Sequence, residues 1–105
     1  MKTGPIVPVN WGFWAGRFAR MLRRDLSRAF GVVLRKYRKA ASMSQEKLSE
    51  KADIDVKMIG RIENFIRNPS LNLADSLAHA LGVPLWQMIR EAEALRQQAA
   101  VAKKR

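Results

Sequence analysis

Between residues 51 and 64 the chain reads "KADIDVKMIGRIEN", and its apolar residues Ala52, Ile54, Ile59 and Ile62 fall too irregularly for one amphipathic helix. If Asp53 to Asp55 interrupt the pattern, two short helices result, joined by a tight corner. On either side of that corner the apolar spacing is helical, and no stretch alternates with period two. A chain built this way has to fold as helices packed around corners.

The remaining elements follow from the same reading. Phe30, Val33, Leu34 and Tyr37 obey the i, i+3, i+4, i+7 rule and form one apolar stripe, with Arg35, Lys36, Arg38 and Lys39 off it. Asp25 or Ser27 caps this first helix, and Ser42 or Met43 ends it. A second helix starts behind Ser44 with Leu48 and Ala52 on its inner face. A third, capped by Asp55, runs from Val56 to about Glu63. Pro69 stops any helix before it and Ser70 caps a fourth, which buries Leu73 or Ala74, Leu77, Ala78 and Leu81 and stops at Gly82. Pro84 opens a fifth through Leu85, Met88 and Ile89. The fold class is therefore all-α, a compact bundle of about five helices. Three regions are expected: an N-terminal extension over 1–26, a central domain over 27–92, and a helical, basic C-terminal extension over 93–105.

Composition narrows the function. The chain has 105 residues and no cysteine, which excludes disulfides and thiolate chemistry. His79 is the one histidine and reads as a surface or packing residue; no cofactor or metal site is indicated. No apolar run reaches the ~20 residues of a membrane-spanning helix. No glycine-rich phosphate loop or nucleophile elbow is present, so no catalytic residues are assigned and the chain does not read as an enzyme. Lysine and arginine number 20 against 9 acids, a formal charge of +11 that favours polyanionic partners. Cations prevail over 1–40 and 96–105, whereas residues 41–69 are balanced.

Several segments carry a resemblance. "FGVVLRKYR", "SQEKLSEKA", "IDVKMIGRIEN" and "RNPSLNLADSLAHALGVPL" appear in order and with the right gaps. From Phe30 to Arg90 the chain resembles the helix-turn-helix domain of the phage-repressor (Cro/cI-type) regulators. That resemblance implies a recognition helix lying in the DNA major groove. It assigns base contacts to Val56, Lys57 and Arg61, and phosphate contacts to Gln45 and Asn64, with Arg67 a plausible third. It also joins Arg38 and Glu63 by a structural salt bridge. The implied protein is a sequence-specific regulator of double-stranded DNA, a repressor acting as a homodimer on a palindromic operator, in a bacterial or phage setting and cytoplasmic at the nucleoid. The alternatives are an antitoxin that uses the same domain, or a membrane-surface or partner-binding adaptor working through its N-terminal helix rather than DNA.

Two departures from the family pattern stand out. The corner, where one residue takes a left-handed conformation, holds Asp53 in place of glycine; Asp tolerates that region better than most residues. After Asn64 comes Phe65 instead of glycine, followed by Ile66, so this loop is expected to leave the family's usual backbone. Outside the resemblance, Trp14, Phe18 and Met21 or Leu22 share one face of a basic amphipathic helix. That helix fits packing or dimerisation, an arm on DNA or a protein partner better than a membrane surface. Leu85, Met88, Ala92, Leu95, Ala99 and Ala102 repeat at heptad-like spacing, which suggests a fifth helix extended for a dimer contact.

Overall fold

The computed structural model describes residues 25–104, which form five helices and no strand: α1 Leu26–Ala40, α2 Gln45–Ala52, α3 Val56–Glu63, α4 Leu71–Leu81 and α5 Leu85–Lys104. The basic amphipathic helix expected within 1–26 lies outside the described residues.

Four helix starts use the same device. The side chains of Asp25, Ser44, Asp55 and Ser70 each accept a backbone N–H from the first turn of the helix they precede, at 2.9, 2.9, 3.0 and 3.0 Å. Each satisfies one of the donors a helix start leaves without an internal partner. Asp25 rather than Ser27 takes the first position, because the Ser27 N–H is the one it caps.

The four helix ends are equally uniform. Ser42, Asp53, Phe65 and Gly82 all have positive φ, between 57° and 74°. In each case the following residue, Met43, Ile54, Ile66 or Val83, donates its N–H five residues back, to the carbonyl of Arg38, Ser49, Arg61 or Ala78. This is the six-to-one bond of a Schellman ending, which absorbs carbonyls the helix cannot use. Only one of the four left-handed residues is glycine. Phe65 corrects the expectation for its loop: with φ at 64° the backbone stays in the region a glycine would take. The bond from Ile66 to Arg61, 2.8 Å, holds that geometry, so an aromatic residue carries the strain. Phe65 is itself half-buried, while Ile66 is 72% exposed.

The core joins all five helices. Phe30, Val33 and Leu34 of α1 meet Leu48, Ile59, Ile62, Ala74, Leu77 and Met88. Ala74 is the buried choice in α4, with Leu73 and Leu81 half-buried. Gly31 is required: a Cβ there would stand 2.5 Å from the Ile62 carbonyl oxygen, so only a bare backbone lets α1 approach the end of α3.

α5 packs mainly on α1. The stripe read as a dimer contact is consumed inside the chain, since Met88, Ala92, Leu95 and Ala99 are all buried. A buried acid pins the two helices together. Glu91, 4% exposed, accepts a hydrogen bond from the Tyr37 hydroxyl and one from Lys36, and Gln87 donates to the Tyr37 oxygen at 2.9 Å. Lys36 also lies 5.2 Å from the Tyr37 ring centroid. Burial, then the bond to Glu91, holds the Tyr37 hydroxyl above its ordinary pKa of 10.0, with Gln87 working the other way.

Two outcomes follow for stability. Tyr37→Phe should cost about 1–3 kcal/mol at neutral pH, because a buried carboxylate loses a hydrogen bond. Since the folded state favours the protonated phenol, the wild-type advantage is complete below pH 10 and is lost as pH rises through the higher folded-state value. Urea melts of both proteins at neutral pH and above pH 10 should show the gap narrowing. At the corners, Asp53→Gly should stabilise by about 0.5–1 kcal/mol, by relieving a left-handed side chain and removing an acid from the negative end of α2. Gly82→Ala should destabilise by about 1–2 kcal/mol, and thermal melts would move in opposite directions.

Candidate nucleic-acid interface

α2 ends at Asp53 (φ 57°, ψ 49°), and two residues later Asp55 caps α3. This reversal sets α3 across α2 with Ile59 and Ile62 in the core. Lys57, Arg61 and Asn64, spaced by four and three, then share the opposite side, and all three are exposed. Arg67 is exposed just beyond the helix end. Val56 is only half-exposed, because it opens α3 close to the domain body. The structure thus brings Lys57, Arg61 and Asn64 onto one outer face, with Arg67 following and Val56 at its edge.

Two of the acids in α2 and at the start of α3 have partners. The Asp55 carboxylate accepts the Lys57 backbone N–H and is used as a cap. Lys47 and Glu50 approach at 3.9 Å with both side chains more than half exposed, a pair that contributes little.

Beneath the face lies the buried pair. Arg38 Nε donates to Glu63 Oε2 at 2.7 Å and a second guanidinium nitrogen donates to Oε1 at 2.9 Å, the bidentate arrangement that a planar fork allows. A third bond runs from Arg38 to the Met43 carbonyl, 2.9 Å. The bond to Glu63 raises the Arg38 pKa above the ordinary arginine value, against the opposing effect of burial. Because the two charges cancel, the pair adds nothing to the net field over α3. The exposed cations of α3 and the loop after it are Lys57, Arg61 and Arg67.

Gln45, the first residue of α2, belongs to the same cluster: its amide nitrogen donates to Glu63 Oε1 at 3.0 Å. Sequence reasoning placed Gln45 and Glu63 in separate roles and missed this bond. It also passed over Gly60, whose Cα lies beneath the Gln45 amide. The only available signal was the glycine itself, an uncommon choice in the middle of a short helix.

Comparison with known proteins agrees with this geometry. The sequence model of the helix-turn-helix family matches residues 34–85, a stretch that contains every residue of the candidate face. Among solved structures, the chain is similar to the clp gene regulator ClgR from Corynebacterium glutamicum, with 26% identity and a TM-score of 0.68 over 75% of this chain and 85% of that one. It is also similar to the hypothetical transcription factor NHTF from Neisseria, with 27% identity and a TM-score of 0.60 over 64% of this chain and 77% of that one. No curated protein matches the sequence.

The buried pair generates a stability test. Arg38→Ala strands the Glu63 carboxylate away from water and should cost about 3–5 kcal/mol. Replacing both partners with apolar side chains, Arg38→Met with Glu63→Leu, should lose far less, because no charge remains to be desolvated. Denaturant midpoints of the three proteins compare the two cases directly.

Proposed function

Residues 34–85 belong to the helix-turn-helix family, and from that premise we propose that this DNA-binding transcription regulator is a sequence-specific repressor that binds double-stranded DNA as a homodimer. The single observation that carries the reading is the outer face of α3, where Lys57 and Arg61 stand exposed on a helix whose other side is locked by Ile59 and Ile62. A helix presented in this way fits the major groove, where an arginine can grip guanine O6 and N7 together. Arg61 takes that role, Lys57 reaches the same acceptors, and the exposed part of Val56 meets a thymine methyl. Gln45, Asn64 and Arg67 hold backbone phosphates on either side and set the register without reading sequence.

A homodimer would place two such helices in successive major grooves, about 34 Å apart, on a palindromic site. With Met88, Ala92, Leu95 and Ala99 buried, the large apolar side chains left exposed among the described residues are Ile66, Leu71 and Trp86. Repression would follow from occupying a promoter. Support for the coarser assignment comes from the solved relatives, whose descriptions are those of a gene regulator and a transcription factor.

Selection from a random-sequence duplex library, followed by a salt titration on the enriched site, tests the reading. A palindrome should emerge. Arg61→Ala should weaken binding to it by about 1–3 kcal/mol and relax preference at one base pair in each half-site. Arg67→Ala should instead weaken all duplexes alike and reduce the salt slope by about one. Uniform weak binding by the wild type, with no enriched sequence, would sink the proposal.

A further inference from the structure

Glu63 has a side chain only 1% exposed, yet it takes three hydrogen bonds, two from Arg38 and one from Gln45. A carboxylate can only accept, so the Gln45 amide must face it with nitrogen rather than oxygen. That nitrogen carries two hydrogens. One is spent on Glu63, and the planar amide points the other away from it. The buried carboxylate is in turn immobilised by the bidentate arginine, so the orientation of a half-exposed side chain on α2 is set from inside the protein.

Gly60 completes the arrangement. It sits three residues before Glu63 on α3, between Lys57 and Arg61. A Cβ at Gly60 would meet Gln45 Oε1 at 3.6 Å and Nε2 at 3.9 Å and no closer atom, which is ordinary contact. Its φ is not positive. Gly31 is glycine because a backbone carbonyl forbids anything larger, and Gly60 has no such reason inside the fold. What a methyl group would do there is cover the Gln45 amide.

We propose that Glu63, braced by Arg38, and Gly60 are positioning residues for DNA binding: the first holds the Gln45 amide from beneath, and the second leaves it uncovered, so that its free N–H meets a backbone phosphate oxygen. The proposal rests on the DNA-facing reading of α3 and adds to it the mechanism by which a neutral side chain becomes a fixed phosphate hook. It makes the Arg38–Glu63 pair part of the binding apparatus, although neither residue touches DNA.

The test is the affinity of the full-length chain for the selected duplex and for a scrambled duplex, with thermal melts of every variant. Gln45→Ala should weaken both duplexes equally, by about threefold to tenfold, the worth of one hydrogen bond. Gly60→Ala should raise the melting temperature, as a helical glycine-to-alanine change does, and still weaken both duplexes by a similar factor. In the Gln45→Ala background, Gly60→Ala should have no further effect on affinity. The apolar pair Arg38→Met with Glu63→Leu should behave likewise, if it folds, and Gly60→Ala decides the matter if it does not. A purely structural role predicts otherwise: Gly60→Ala and the apolar pair would change melting temperature alone, or their losses would add to that of Gln45→Ala. Either result overturns the proposal, as does a Gln45→Ala protein that binds like the wild type. If Arg61→Ala still weakens binding and relaxes preference at one base pair in each half-site in that last case, only the hook falls. A wild type without any selected site removes the functional reading as well.

Discussion

One buried ion pair ties together the parts of this protein that face outward. Arg38 lies near the end of α1, Glu63 closes α3, and the same cluster takes in the Met43 carbonyl and the first side chain of α2. Burying two charges is expensive, and a pair of this kind often adds little net stability over an apolar replacement. Its value lies in direction. An apolar contact tolerates rotation and sliding, whereas a fork of hydrogen bonds at 2.7 and 2.9 Å admits one geometry. The angle between the helix that starts at Gln45 and the helix that ends at Glu63 is thereby tied to a rigid joint on α1.

The remaining architecture supports that joint from two sides. Gly31 lets α1 approach the last turn of α3 until backbone meets backbone, which brings Arg38 within reach. On the far side Glu91, with Tyr37 and Lys36, fixes α1 against α5. α1 is therefore pinned by neighbouring residues, 36 to 38, to opposite walls of the domain, and each pin is a buried acid satisfied by a longer basic or phenolic side chain.

What the sequence disclosed and what it withheld divide along a physical line. Caps and helix starts depend on a few adjacent residues, and Ser44, Asp55 and Ser70 could be read directly. The left-handed corner at Asp53 was legible too, because a break in apolar spacing marked its place. The left-handed state of Phe65 was not, since propensity argues against an aromatic there and the bonds that close the turn on Ile62 and Arg61 could not be foreseen. Glu91 escaped for another reason: nothing local distinguishes it from the solvated acids of a helix, and its partners lie 54 and 55 residues away. The heptad-like spacing in α5 showed correctly that a stripe is buried, but spacing alone cannot say whether the partner is another chain or α1. Of the outer face, Lys57, Arg61 and Asn64 were named through the family resemblance, and the support beneath Gln45 was invisible because it joins three helices.

The closure of α5 on α1 has a bearing on how the domain comes into being during synthesis. Translation delivers α1 well before α5, so the stripe of Phe30, Val33 and Leu34 leaves the ribosome long before Met88, Ala92 and Leu95 arrive to cover it. The corner between α2 and α3 is local and can form as soon as it emerges, yet the wall that steadies α1 is still missing. A nascent chain stalled near residue 85 would hold the whole stretch matched to the family and still lack Met88, Ala92, Leu95 and Ala99 of the core. The wall that steadies α1 is thus completed only after the stretch matched to the family has been made.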